Sequence, residues 1–254
     1  MTDGKETRKP SKVRLDRLLS DRGFVESREK GRALILAGQI LVNGQKVDKA
    51  GALVPPDADI RILGQRMAFV SRGGLKLDAA LREFGIDVSG KTALDVGAST
   101  GGFTDCLLQR GSVKVYAVDV GYGQMAWKLQ QDPRVALIDR SNIREMDPGR
   151  IPELVDIVVI DVSFISLNKV VPAILRFLKK DAELIALVKP QFEVGKELVG
   201  KGGIVKDEGL RTGAVENVRA MLRENGFEEK GMMRSPITGQ DGNVEFLLYA
   251  LWRT

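Results

Sequence analysis

Four charged residues stand where a charge is costly. Asp161 closes the apolar run Val155–Ile160, and Lys189 closes Leu184–Val188. Lys76 lies in Ser-Arg-Gly-Gly-Leu-Lys-Leu and Glu245 in Gly-Asn-Val-Glu-Phe-Leu. A charge at the end of a buried strand is either paired or put to use. A structural ion pair at the mouth of the fold is therefore the alternative to chemistry. The chain has no histidine and one cysteine, Cys106. That excludes Ser-His-Asp and Cys-His catalysis and argues against a zinc site; no metal is expected in the site. Proton transfer falls to Lys, Asp, Glu, Tyr or water. Without a histidine to activate it, Cys106 reads as helix packing.

A second group of residues could hold a nucleotide-like ligand. Ala93–Val96 reads as a short buried strand, glycines turn the chain, and Phe103–Arg110 reads as a helix. Such a turn brings backbone N–H groups close to a ligand. The residues in question are Asp95, Gly97, Ala98, Ser99, Gly101, Gly102 and Phe103. The spacing is neither G-x-G-x-x-G nor a phosphate loop, which speaks against a nicotinamide enzyme. Asp119, 22 positions after Gly97, ends the next strand. It suits a ribose hydroxyl or a plain strand-end turn. Asp139 ends the third strand and suits an adenine amino group or a cap for the following turn. Gly195–Gly202 nearly spells a phosphate loop, but Gly202 stands where Ser or Thr must bind magnesium. Gly195–Lys206 reads instead as a flexible loop over the site entrance. Trp127 and Phe164 could stack on bases, although core packing is the expected role of Phe164.

The elements that must position these residues are strands alternating with helices. Expected strands are Ala93–Val96, Val113–Val118, Val135–Ile138, Val155–Ile160 and Glu183–Val188, with helices at Phe103–Arg110, Leu167–Leu178 and Asp207–Asn225. This is the pattern of an α/β, doubly wound, mostly parallel sheet. Glu229–Arg234 and Val244–Leu251 read as a final antiparallel pair. Ahead of this part lies a smaller α+β segment. Residues 1–12 read as a disordered tail and 13–64 as a small domain. Residues 65–70 read as a linker, and 71–254 as the larger domain. In the small domain, Arg14–Arg22 and Arg28–Leu36 read as helices. Ile40–Val42 and Gln45–Val47 form a hairpin on an Asn43-Gly44 type I′ turn, and Asp59–Leu63 is a further strand. Its exposed side is expected to collect Arg14, Arg17, Arg22, Arg28, Lys30, Arg32 and Lys46. With a net charge of +5 for 254 residues, the chain favours anionic partners, nucleic acid among them. A single cysteine, no apolar leader and no run of roughly 18–20 apolar residues point to a cytoplasmic protein without a membrane span.

The glycine loop resembles the first motif of S-adenosylmethionine-dependent methyltransferases. Two short helices followed by Gln-Ile-Leu-Val-Asn-Gly-Gln-Lys-Val resemble the S-four-type RNA-binding domain. Lys76, Asp161, Lys189 and Glu245 match, in order and context, the Lys-Asp-Lys-Glu tetrad of FtsJ-like ribose 2′-O-methyltransferases. The strings Val-Asp-Val-Gly-Tyr-Gly-Gln, Asp-Val-Ser-Phe-Ile-Ser-Leu, Lys-Pro-Gln-Phe-Glu and Gly-Lys-Gly-Gly-Ile-Val-Lys-Asp look like the hemolysin A (TlyA) family. The resemblance implies a Rossmann-like methyltransferase domain that binds S-adenosyl-L-methionine and acts on cytidine ribose in ribosomal RNA. Ribosomal subunits would be the partners. It makes Lys189 base or hydroxyl positioner, oriented by Asp161, Lys76 and Glu245. It makes Arg14, Arg17, Arg28, Lys30, Arg32 and Lys46 contacts to RNA. The alternatives are a membrane-active hemolysin and a non-catalytic RNA-binding ribosome-assembly protein. The sequence leaves the oligomeric state open, a monomer being slightly favoured.

Overall fold

The computed structural model describes residues 12–25, 27–63, 68–200, 202–239 and 242–253. The expected tail lies outside the described residues apart from Lys12, as do Gln65–Met67 of the expected linker. The chain divides into two compact units between Arg66 and Met67.

The smaller unit opens with β1 (Val13–Arg14), α1 (Leu15–Asp21) and α2 (Arg28–Leu36). Ser27 caps α2 by accepting from Lys30 N at 3.2 Å, which satisfies one of the helix's orphan donors. Next come β2 (Ile40–Val42), β3 (Gln45–Val47), β4 (Leu53–Val54) and β5 (Ile60–Ile62). The three-stranded sheet runs β3-β2-β5, and β1 pairs with β4. Asn43 and Gly44 both have positive φ, at 50° and 78°, as a type I′ hairpin turn requires. Leu15, Leu18, Leu19, Ile35, Ile40, Val42 and Ile60 form the core. Arg14 lies in β1 rather than α1, and the β1–β4 pair was not anticipated.

In the larger unit, Phe69 is buried and Val70 N donates to Asp105 Oδ2 at 2.7 Å, so the end of the expected linker packs onto this unit, while Ala68 is exposed. The elements are α3 (Gly73–Glu83), β6 (Thr92–Val96), α4 (Gly102–Gln109), β7 (Lys114–Val118), α5 (Trp127–Gln130), β8 (Val135–Ile138), β9 (Val155–Ile160), α6 (Leu167–Ile174), β10 (Leu178–Val188), α7 (Pro190–Glu193), α8 (Glu208–Glu224), β11 (Phe227–Arg234) and β12 (Phe246–Trp252). The seven strands lie in the order β11-β12-β10-β9-β6-β7-β8. Strands β6 to β10 are parallel, and β11 and β12 are antiparallel.

Successive residues of one strand feed opposite faces of this sheet. Val158, Ile160, Leu184 and Ala186 join α6 and α8 in one core. Ile157, Val159, Ile185 and Leu187 join α3 and α4 in the other. Both faces being covered, the central strands read as unbroken apolar runs. From β6 the chain winds outward through β7 and β8, then returns to place β9 on the other side of β6. That reversal opens a crevice at the C-terminal ends of β6 and β9.

One expected element is shorter. The helix from Leu167 stops at Ile174, passes through a tight turn at Leu175–Phe177, and Leu178 begins β10. Pro172 lies inside that helix and deprives it of a backbone donor. Leu178 pairs with Val155, and the strand slips register before Glu183. Apolar periodicity cannot tell such a residue from one more helical turn.

Candidate active site

The candidate residues of the larger unit stand at or beside the C-terminal ends of the parallel strands. Gly97 follows β6 with φ +87°, and a Cβ there would lie 2.6 Å from the backbone oxygen of Asp161. Only glycine lets these two strand ends close together. A Cβ on Gly102 would lie 2.9 Å from Gly74 N, so the start of α4 meets the start of α3. A Cβ on Gly73 would sit 3.9 Å from Asp161 Oδ2. Residues some ninety positions apart are thus neighbours. Across β10 and β12, Val188 pairs with Phe246, and the next positions along that register are Lys189 and Glu245.

The four charged residues form two close pairs. Lys76 Nζ donates to Glu245 Oε2 at 2.6 Å, with side chains 10% and 3% exposed. Lys189 Nζ lies 2.6 Å from Asp161 Oδ1 and donates to Ser163 Oγ at 2.8 Å. The Lys189–Asp161 contact is a close ion pair without hydrogen-bond alignment. Glu245 is held in place by its own backbone, whose oxygen accepts from Ser235 N at 2.8 Å.

Asp95, in β6 two residues before Gly97, is fully buried. Thr104 Oγ1 donates to its Oδ2 at 2.6 Å, while Oδ1 has no partner. Burial pushes this carboxyl up to about 7; the Thr104 bond opposes the shift and the charge of Asp161 adds to it. Asp95 Oδ1 is thus a buried acceptor without a partner among the described residues, beside the glycine loop. Ser99 takes a positive φ of 47° in the same loop, a conformation that costs about 1–3 kcal/mol in a non-glycine residue. Ala98 and Phe103 are buried beneath it, and Gly101 caps α4 with φ +92°.

Asp119 closes the loop. Its Oδ2 accepts from Ser99 N at 2.7 Å and its Oδ1 from Gly121 N at 2.6 Å. Each carboxylate oxygen keeps a second lone pair. Asp139 Oδ2 accepts from Gly123 N at 2.9 Å. Both carboxylates thus serve turns after their strands and face the same loop cluster.

Two expectations change. Phe164 is 91% exposed with φ +64°, not packed in the core, and its ring meets Phe192 at 5.1 Å between centroids. The loop carrying it leaves β9 outward, so its apolar side chain stays in solvent. Trp127 is 72% exposed. The expected flexible loop is pinned in part: Asn243 Oδ1 accepts from Val205 N at 3.0 Å, and Asn243 Nδ2 donates to Gly203 O at 2.8 Å. Asn243, Ser163 and Thr104 were missed, although Gly-Asn-Val-Glu already stood out through Glu245. Cys106 is buried in α4, and burial pushes its thiol up to about 12, as suits packing.

The basic residues of the smaller unit follow a different logic. Buried Asp16 accepts from Arg14 Nε at 3.0 Å, Arg14 Nη2 at 2.9 Å and Arg28 Nε at 3.0 Å. The two guanidiniums hold its carboxyl down at about 2, the Arg14 hydrogen bond foremost. Arg17 pairs with Asp21 at 3.2 Å. Arg14, Arg17, Arg28, Lys30, Arg32 and Lys46 are exposed, whereas Arg22 is half-buried and donates to Ala58 O at 2.6 Å. Arg22 therefore serves the fold of this unit instead of its exposed face.

Residues 69–251 match the profile of the FtsJ-like methyltransferases. The chain belongs to that family. Residues 13–60 match the S4 domain. The chain is 44% identical over 244 residues to the 16S/23S rRNA (cytidine-2′-O)-methyltransferase TlyA of Mycobacterium tuberculosis, covering 96% of this chain and 91% of that one. It is 42% identical to the Hemolysin A of Brachyspira hyodysenteriae, covering 93% and 99%. A solved structure of a hemolysin candidate from Streptococcus thermophilus is 41% identical, covers 96% and 90%, and superposes with a TM-score of 0.75. In this FtsJ-like fold, no helix among the described residues is long and apolar enough to cross a membrane. Nor does any group of three or more Asp, Glu, Cys or His among them have the placement to hold a metal ion.

Proposed function

We propose that this protein methylates the 2′-hydroxyl of a cytidine ribose in ribosomal RNA, using S-adenosylmethionine, in the cytoplasm. The observation that carries the reading is the Lys189–Asp161 pair, backed by Lys76–Glu245 and set beside the glycine loop. The relative from M. tuberculosis, named for this activity, supports it.

The cofactor fits the residues present. Gly97, Gly101 and Gly102 let the loop pack closely on Asp161, Leu129 and Ser71, which suits a backbone turn that carries N–H groups to a ligand, and the unpartnered Asp95 Oδ1 offers an acceptor. Asp119 would hold ribose hydroxyls and Asp139 the adenine side, through lone pairs their turns leave open. When bound, S-adenosylmethionine supplies an electrophilic sulfonium methyl. A ribose hydroxyl is a poor nucleophile until its proton is held or withdrawn. Lys189 Nζ orients that hydroxyl: as the ammonium paired with Asp161 it only positions the oxygen, and as the neutral amine it takes up the proton that the oxygen gives up. Asp161 and Ser163 fix the lysine's position, and the Lys76–Glu245 pair walls the pocket on the β12 side. The rate comes largely from alignment. Phe164, exposed beside Ser163, offers an aromatic face to an unstacked base. In the smaller unit, Asp16 presets Arg14 and Arg28 for RNA phosphates, with Arg17, Lys30, Arg32 and Lys46 alongside.

The test is single-turnover methyl transfer to ribosomal subunits. Lys189→Ala should bind S-adenosylmethionine and RNA yet lose at least about 10²-fold in rate. Transfer by Lys189→Ala at the wild-type rate would sink the proposal.

A further inference from the structure

Lys189 and Glu193 bracket one short turn, α7, and both reach the same loop. Lys189 contacts its beginning, at Asp161 and Ser163. Glu193 contacts its end: Oε2 accepts from Ser166 Oγ at 2.6 Å and Oε1 from Leu167 N at 2.9 Å. Between these anchors the loop turns through Phe164, whose ring rests against Phe192 of α7. The cap of α6 is already provided by Ser166, which accepts from Asn168 N at 3.2 Å.

Glu193 has no cation among its hydrogen-bond partners, and burial raises its carboxyl above the usual range against the pull of those two bonds. Burying such a group is costly. The return is a fixed distance between two segments that must work together. Lys189 has three N–H donors, so it can hold Ser163 and Asp161 and still meet a ribose hydroxyl only while the loop carrying those two residues stays where it is. Glu193 anchors the far end of that loop.

We propose that Glu193 is a positioning residue, which locks the loop from Asp161 to Leu167 onto α7 while Lys189 engages its substrate. This rests on the methyl-transfer reading above. Misplacement of a catalytic group by about 1 Å can cost up to about 10²-fold in rate.

The experiment uses the full chain, S-adenosylmethionine and ribosomal subunits at saturating concentrations, with single-turnover rates and separate binding measurements. Glu193→Ala should lower the rate about 10- to 100-fold while both affinities stay within about twofold of wild type. Glu193→Gln can accept from Leu167 N and donate to Ser166 Oγ, so it should recover most of the rate. A purely structural cap would lower stability without this rate-only loss. Wild-type transfer by Glu193→Ala, or a Glu193→Gln as slow as Glu193→Ala, overturns the proposal. Should Glu193→Ala not fold, Ser166→Ala removes one of the two bonds. It must then slow transfer at unchanged affinities, and a wild-type rate overturns the proposal equally. A wild-type protein that transfers no methyl would instead remove the reading on which it rests.

Discussion

Cutting one member of the Lys76–Glu245 pair should separate stability from chemistry. Glu245→Ala leaves the Lys76 ammonium in a pocket where its side chain is 10% exposed. An uncompensated charge in such a place costs about 3–5 kcal/mol. With a denaturant slope of up to about 3 kcal/mol per molar urea, the unfolding midpoint should fall by at least about 1 M. Both tryptophans, Trp127 and Trp252, lie in the larger unit, so fluorescence reports on that unit alone. Replacing both partners, as Lys76→Met with Glu245→Leu, removes the charge along with its counter-charge. Its stability should return to within about 1 kcal/mol of wild type, because apolar residues often replace a buried pair without loss. Methyl transfer should not return. An unchanged midpoint in Glu245→Ala would refute the idea that this carboxylate holds Lys76. Near-wild-type transfer by the double variant would refute a place for the pair in the site.

Asp95 predicts a pH dependence of folding. Its carboxyl is raised to about 7 in the folded chain, so its stabilising contribution is complete below the unfolded value near 4 and lost as pH rises through about 7. Urea unfolding of wild type should therefore lose stability between pH 5 and pH 8 relative to Asp95→Asn, and parallel curves would contradict the burial argument. In the smaller unit, Arg14→Ala with Arg28→Ala should lower RNA affinity and reduce the salt slope by about 1–2. An unchanged slope would mean that neither guanidinium meets phosphate.

Much of this was legible in the chain, for physical reasons that differ by residue. Asp161 and Lys189 stand out because apolar strands end in charges, and such ends lie at the ligand edge of a parallel sheet. Gly97 stands out because a strand must turn at once into a helix. Composition and spacing do not say that Lys76 meets Glu245 across 169 positions; that pairing depends on α3 docking against α4 and on β12 entering antiparallel. Phe164 was misread because an aromatic residue between apolar runs suits a core as well as a surface, and its positive φ is visible only in the folded chain. Leu178 was misread because one apolar residue fits both a helix end and a strand start. Thr104, Ser163 and Asn243 carry short polar side chains whose roles arise only from what they touch.

The most direct test of the central claim is the chemical position of the transferred methyl. Ribosomal subunits lacking the mark would be incubated with the protein and S-adenosylmethionine carrying a labelled methyl, digested to nucleosides and analysed by mass spectrometry. The account predicts label in 2′-O-methylcytidine, absent from the Lys189→Ala reaction. Label on a base, or none in a wild-type protein that binds both S-adenosylmethionine and RNA, would contradict it.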